Sequence, residues 1–282
     1  MTAVFGMILV LACVIGGYWH GGGRFDVLAQ PTEFMVIGGA AVGSFLVAST
    51  RTTLRLVFTN LKDVFSGHQY GKAEYLAVLS LLSRLLIKVR REGLASVESD
   101  IEHPQASGIF GAHRVLRDDP LVVRFICDTF RVYLVTGEPG EIEGIMHADI
   151  ESMHAHFSWP AQNLSKVAES LPGLGIVAAV LGVVLTMQNI SAPPDVLGRS
   201  IGGALVGTFL GVLLCYGFVG PMGTLLEHQA AAKQARLKVV KSALMGYSIG
   251  LAPILAVEYA RRAIPTNVQP SMEELEEGMK KG

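Results

Sequence analysis

The sequence predicts an all-α integral membrane protein: four transmembrane helices, a large helical cytoplasmic insert between spans two and three, and a cytoplasmic C-terminal helical tail. Three observations predict it. Four long runs carry no charged residue, basic residues avoid two of the connections between those runs, and the polar stretches space their apolar residues as helices do. The composition agrees, with half of the 282 residues hydrophobic and 17% charged. Mean hydropathy is +0.44. Because the apolar residues are concentrated in blocks, the chain reads as a membrane protein with a soluble portion and not as one large core. A net charge of -1 gives no reason to expect nucleic acid as a partner. The three cysteines form neither a disulfide framework nor a zinc motif.

The apolar runs are Ala3–Trp19, Phe34–Ser49, Leu171–Met187 and Ile201–Phe218. A bilayer core needs roughly 20 helical residues, with about 17 as a working minimum. The second run is short, and Glu33 and Arg51 are expected to snorkel to the two interfaces. The first lacks a basic leader and is followed at once by another apolar run, so it reads as a retained span. Of the 23 Lys and Arg residues, the two outer connections hold only Arg24 and Arg199. The positive-inside rule then places both termini and the insert in the cytoplasm. The resulting division is 1–50 (spans one and two), 51–170 (cytoplasmic helical domain), 171–222 (spans three and four) and 223–282 (C-terminal helices and tail).

Within the insert, Leu54, Val57, Phe58, Leu61 and Phe65 follow helical spacing, with Arg51, Arg55 and Lys62 nearby. Such a helix either lies on the inner membrane surface or packs on its own domain, and periodicity does not separate the two. Leu76, Leu79, Leu82, Leu86 and Val89 form a second stripe of core type. Pro104, Pro120, Pro139 and Pro160 are expected to mark turns. The stretch Ala243–Ala260 is apolar enough to resemble a fifth span. Gly246, Gly250, Pro253 and Glu258 interrupt it, so it is read as a cytoplasmic helix or helix pair. After Pro270 the charge-rich tail is expected to be a solvated helix or a frayed end.

The spans as delimited contain no Asp, Glu, Lys, Arg or His, which speaks against a self-contained proton relay and against an embedded enzyme. Their polar groups are Ser44, Thr186, Thr208, Tyr216, Cys13 and Cys215, with Gln188 at a boundary. Gly203, Gly207 and Gly211 leave one stripe of span four almost without side chains, a surface that another helix can approach closely. Ordinary packing between the chain's own spans explains that stripe as well. Pro172 is expected in the first turn of span three, and Pro221 where span four exits, as a kink or hinge. His147, Glu151 and His154 share a helical spacing that could hold a metal, but a solvated face accounts for them better. The basic-to-acidic segment from Arg90 through Glu102 is either two solvated helix ends or a docking surface presenting both signs of charge.

Several blocks, in order along the chain, resemble the MotA/PomA family of bacterial flagellar stator A subunits, related to ExbB and TolQ. They are Gly16-Gly17-Tyr18, Gln30-Pro31-Thr32-Glu33, Gly93 through Pro104, Leu171 through Val180, Val206 through Gly211, and Val268 through Ser271 followed by Glu273-Glu274-Leu275-Glu276. The resemblance implies a homo-oligomeric ring, five chains around two B-type partners, each partner contributing a helix with a proton-binding Asp. It implies an inner-membrane, proton-driven motor subunit without cofactor, metal or enzymatic activity, whose insert meets a rotor switch protein. Residue by residue, Arg90 and Glu98 match the rotor-contacting positions. Pro172 and Pro221 match the coupling prolines, and Ala179 and Thr208 match positions lining the ion path, to which Tyr216 is added. Sodium-driven relatives usually carry Thr where Ala179 stands, so protons are the expected ion. ExbB and TolQ, energisers of outer-membrane processes, are the alternative, but they have three spans.

Overall fold

The computed structural model describes residues 2–66, 70–111 and 119–281, with backbone alone at 61–66, 280 and 281. Every regular element among the described residues is helical. In chain order they are α1 (Thr2–His20), α2 (Phe25–Leu28), α3 (Pro31–Ala48), α4 (Arg51–Ser66), α5 (Lys72–Glu92), a 3-10 turn (Leu94–Val97), α6 (Glu98–Glu102) and α7 (Gly108–Gly111). Then follow α8 (Pro120–Thr136), α9 (Pro139–Met187), α10 (Pro194–Leu214), a π-helical segment (Cys215–Val219), α11 (Gly220–Ser248), α12 (Pro253–Arg262) and α13 (Met272–Lys281). Among the described residues, four stretches are long and apolar enough to cross a membrane: Thr2–His20, Phe25–Ala48, Pro139–Met187 and Pro194–Ser248. The chain divides into two compact units, Met1–His68 with Phe157–Gln229, and Gln69–His156 with Ala230–Gly282.

The first unit has a thin core, as expected of helices that meet lipid or partners on most sides. Ile37 and Ala41 of α3, Ala168, Leu171 and Ala178 of α9, and Val206 and Leu210 of α10 are buried together. No residue of α1 is buried. In α4, Val57 is buried and Leu54 half-buried, whereas Phe58 is exposed, so the stripe is divided between two faces. Leu61, Lys62 and Phe65 lie outside the described side chains. The Gly223 backbone passes so close to α9 that a Cβ there would be 2.8 Å from the Ser165 hydroxyl oxygen.

The structure departs from the sequence expectation at Pro172, Pro160 and Glu33. Pro172 does not open a helix, because α9 runs unbroken through both Pro160 and Pro172. Neither does Pro160 mark a turn. A proline forfeits one N–H and one hydrogen bond, and a long packed helix tolerates that. Glu33 does not snorkel: Pro31 opens α3, which places Glu33 in its first turn, where the residue is only 8% exposed. Span two therefore includes Glu33, and Asp26 of α2 lies in the same candidate span.

The second unit is a soluble-type core around α5. Leu79, Leu82, Leu86 and Val89 are buried as spaced, but so are Leu81 and Leu85, so α5 is enclosed well beyond one stripe. Phe110, Phe125, Phe130, Ile142 and Leu237 complete its surroundings. Asp119 accepts a hydrogen bond from the Val122 N–H and caps α8, with Pro120 in the first helical position. Arg236 of α11 is 3% exposed, pairs with Asp119 and lies 3.1 Å above the Tyr70 ring. Burial pulls its guanidinium pKa below the usual arginine value, while the nearby Tyr70 works in the opposite direction.

The region from Ala243 to Ala260 is a helix pair. It turns at Gly250 with φ +96°, a conformation favouring glycine, and its Ala243, Ala256, Val257 and Ala260 are fully buried. A Cβ at Gly246 would stand 3.3 Å from Ala256 Cα, which is how closely the two arms cross. The tail is neither solvated throughout nor frayed. Ser271 and Glu274 cap α13 reciprocally. Leu275 is buried, and Lys72 pairs with Glu274 at 3.0 Å. Arg261 donates to the Pro270 carbonyl and Gln269 donates back to the Arg261 carbonyl, anchoring the approach to α13. The sequence there satisfies its backbone locally and then buries one face, and that combination makes a ten-residue helix stable.

Candidate functional site

The first unit brings three helices together along a seam of small residues. Gly175 of α9 is so close to α10 that an added Cβ would be 2.7 Å from the Gly207 carbonyl oxygen and 3.3 Å from Thr208 Cα. From the other side, a Cβ on Gly211 would be 2.5 Å from the Leu171 carbonyl oxygen and 2.9 Å from Gly175 Cα. A Cβ on Gly207 would meet Ala178 Cβ and the Ala179 backbone nitrogen, both at 3.0 Å, and Glu33 Oε2 at 2.5 Å. The Gly203-Gly207-Gly211 stripe is thus filled by α9 and by the start of α3. Backbone dispersion contacts of this kind are the main cohesive force between helices in lipid.

Ala179, Thr208 and the neighbours of Pro172 meet in this seam. Ala179 is buried and Thr208 half-buried. Ser44 and Thr186 return their hydroxyl protons to their own helices, at 3.0 and 2.8 Å. Pro221 and Tyr216 are not in the seam; they stand at and just after the π-helical segment. There the Gly220 N–H donates to the Cys215 carbonyl, one residue beyond the α-helical partner. The Pro221 ring displaces the carbonyl four residues earlier, which favours that wider turn. Tyr216 is 74% exposed and turned away from the chain's own core.

Glu33 is the residue that sequence reasoning missed as a site. Its Oε2 is buried without a hydrogen-bond partner among the described residues. Within the first unit it is the buried residue of a charged type, among the described residues. A carboxyl group so placed costs free energy, and in membrane proteins such groups usually serve function. It borders a cleft of about 430 Å³ lined also by Asp26, Gln30, Thr186, Asn189, Arg199 and Gly203. Glu33 follows Gln30 by three residues, which puts both on one helical side, and a Cβ on Gly203 would lie 2.9 Å from Gln30 Nε2. That periodicity was a usable signal, hidden because a carboxylate ends an apolar run.

Arg90 and Glu98 belong to the second unit. Arg90 is in the last turn of α5, which stops at Gly93 with φ +88°. Glu98 opens α6. Both are exposed, and neither has an ion-pair partner among the described residues. Of the three residues read as a solvated face rather than a metal site, His147 and Glu151 lie 3.4 Å apart in the open.

Two family models match the chain in order: the motility protein A N-terminal model over residues 4–93, and the MotA/TolQ/ExbB proton channel family model over residues 121–239. Motility protein A of Escherichia coli K12 is 39% identical over 279 residues, spanning 98% of this chain and 94% of that one. The Salmonella typhimurium protein of the same name is 38% identical with the same coverage. Chemotaxis protein LafT of Vibrio parahaemolyticus is 31% identical over 98% of this chain and 97% of its own. Among solved structures, a chain of Campylobacter jejuni MotAB has the same fold with a TM-score of 0.79 at 20% identity, covering 96% of this chain and 98% of that chain. A chain of the Bacillus subtilis flagellar MotAB stator complex gives 0.74 at 21%, with 98% of each covered. The N-terminal match separates the chain from the ExbB and TolQ branch, and the chain belongs to the motility protein A family.

Proposed function

We infer that this chain is the A subunit of a flagellar motor stator, which with a B-type partner forms a proton-conducting, torque-generating complex. The observation that carries the reading is full-length membership of the motility protein A family, joined to a three-helix seam that holds Glu33, Ala179 and Thr208. The protein is proposed to lie in the inner membrane with both termini cytoplasmic, supported by the distribution of its basic residues. A ring of five such chains around two B subunits is the proposed assembly. The exposed apolar side chains Ile176, Val180, Leu185, Leu205 and Val212 would be covered by neighbours, partner or lipid. The partner's Asp is the proposed proton carrier, with Ala179 and Thr208 as walls of its path and Glu33 at the end of the seam nearest the polar cleft. Ala179 has no hydroxyl with which to ligate a dehydrated cation, which favours protons over sodium.

The test is a swimming assay in a strain lacking the chain, with the proton and sodium gradients varied separately, together with identification of the co-purifying membrane partner. Motility restored by the proton gradient alone, with a single-span Asp-bearing partner, is expected. A partner engaging an outer-membrane receptor, with swimming unaffected, overturns the reading in favour of the ExbB/TolQ task. Arg90 and Glu98 are proposed to contact the rotor. Each exposed ion pair would contribute at most about 1 kcal/mol, so R90E or E98K alone should impair motility in part and a reciprocal reversal on the rotor should restore it.

A further inference from the structure

We propose that Asp100 is a positioning residue, fixing the short helix that presents Glu98. This rests on the rotor-docking reading above and goes beyond it by naming what orients one of the two charges. Helix α6 has only five residues, Glu98–Glu102. A helix of that length has no stability of its own in water. What holds it is therefore its surroundings, which are unusually complete. Val97 and Ile101 are fully buried in the core of the second unit. Between them Asp100 is 9% exposed, with both carboxylate oxygens engaged. Lys88 Nζ donates to Oδ2 at 2.7 Å, and the Ser107 hydroxyl donates to Oδ1 at 2.5 Å. Ser107 Oγ accepts from the Ile109 and Phe110 N–H groups at 3.1 and 3.3 Å, so the same hydroxyl also caps α7. At the far end of α6, Arg131 of α8 donates to Glu102 at 2.7 Å and to the Ile101 carbonyl at 3.3 Å.

The arrangement sorts the charges of this region into two kinds. Lys88, Asp100, Glu102, Arg131 and Asp128 are all paired within the chain. Among the described residues, Arg90 and Glu98 have no ion-pair partner and stand exposed. Arg90 takes its orientation from the long, packed helix α5, and Glu98 takes its orientation from α6. Only the second depends on Asp100, which reaches across to α5 two residues before Arg90. The carboxylate is needed in its charged form with two acceptor oxygens, because an amide in its place offers one acceptor and sets an NH2 group against Lys88 or Ser107.

The experiment compares D100N, and separately K88M, with the parent in the assembled stator. Two readouts are taken. The first is hydrogen exchange of residues 98–102, expected to be at least tenfold faster in both variants while α8 stays protected. The second is the extent to which the rotor's reciprocal reversal rescues E98K and R90E. In the D100N and K88M backgrounds, rescue of E98K should fall at least threefold while rescue of R90E is unchanged, which general damage to the domain would not produce. Equal loss of both rescues, unchanged rescue of E98K, or unchanged exchange in α6 overturns the proposal. Absence of any effect of E98K and R90E in the parent background instead defeats the docking reading itself.

Discussion

Replacing Gly211 with alanine tests whether the small-residue seam is a structural necessity. The new methyl carbon would be 2.5 Å from the Leu171 carbonyl oxygen, 2.9 Å from Gly175 Cα and 3.1 Å from Gly175 nitrogen. All three are backbone atoms of α9, so no side chain can rotate aside. Restoring ordinary contact requires the two helices to separate by roughly 0.5–1 Å, and overpacking of this kind costs about 1–3 kcal/mol. At about 1.4 kcal/mol per tenfold, the paired form would lose between about fivefold and about 140-fold of its population. Gly203→Ala meets the Gln30 amide, a flexible end, and should cost less. Gly173→Ala and Gly198→Ala meet nothing within 4 Å; their better helix propensity should make them neutral or slightly stabilising. Thermal unfolding of the detergent-solubilised chain gives the order, and tethered-bead torque gives its functional counterpart. If Gly211→Ala is indistinguishable from Gly173→Ala in both, the packing argument is refuted.

Further outcomes follow from other residues. Glu33→Gln should fold and assemble while lowering motor speed at saturating load, read from bead rotation; unchanged speed and unchanged pH dependence would remove Glu33 from the proton path. Gly93→Ala forces a side chain into φ +88° and ψ 166°, a region essentially reserved for glycine, at about 1–3 kcal/mol, and should weaken rotor capture more than it lowers the expression level, as measured by stator recruitment. Glu258 accepts three hydrogen bonds from Arg261 and Arg262 at 2.6–2.8 Å. Those from Arg261 chiefly hold its carboxyl down to about 2. Its folded-state pKa is depressed, so its contribution is present above the ordinary carboxylate range and is lost as the pH falls towards 2. Glu258→Gln should therefore destabilise the second unit at pH 7 by up to about 3 kcal/mol. The gap should close near pH 2 in thermal scans, and a gap that persists there would contradict the assignment.

The spans were legible because a charge-free run of about 20 residues has few other physical explanations. The same rule hid Glu33, since a carboxylate ends an apolar run in one dimension whether or not a glycine notch receives it in three. Pro160 and Pro172 were misread for a related reason. Proline announces a lost N–H, but whether the helix bends, stops or continues depends on neighbours the sequence does not order in space. The tail was underestimated because its glutamates dominate the composition, although Leu275 and Met279 at i and i+4 carried the amphipathic signal. The Asp100 network could not be read at all. It joins residues 88, 100 and 107, whose spacing fits no local pattern, and only the reversal of direction at Gly93 brings them together.

The seam is bounded by two irregularities of the helical hydrogen-bond ladder, which limits how it could be driven. Pro172 leaves the Ala168 carbonyl without its usual donor, next to the Leu171 carbonyl that Gly211 crowds. Pro221 sits beside the π-helical turn from Cys215 to Val219. One proton crossing 100 mV releases about 2.3 kcal/mol, too little to pull apart a packed helix pair. It is enough to shift a single backbone hydrogen bond, whose net contribution is about 1 kcal/mol. A π turn converting to an α turn is such a shift, and it rotates everything beyond it by a fraction of a turn. Pro221→Ala removes the ring that favours the wide turn, so the segment should rewind with ordinary i to i+4 bonds. The stator should then assemble in normal numbers, counted from stepwise speed changes, while each unit delivers much less torque. Full torque per unit from Pro221→Ala would show that the π turn takes no part in coupling.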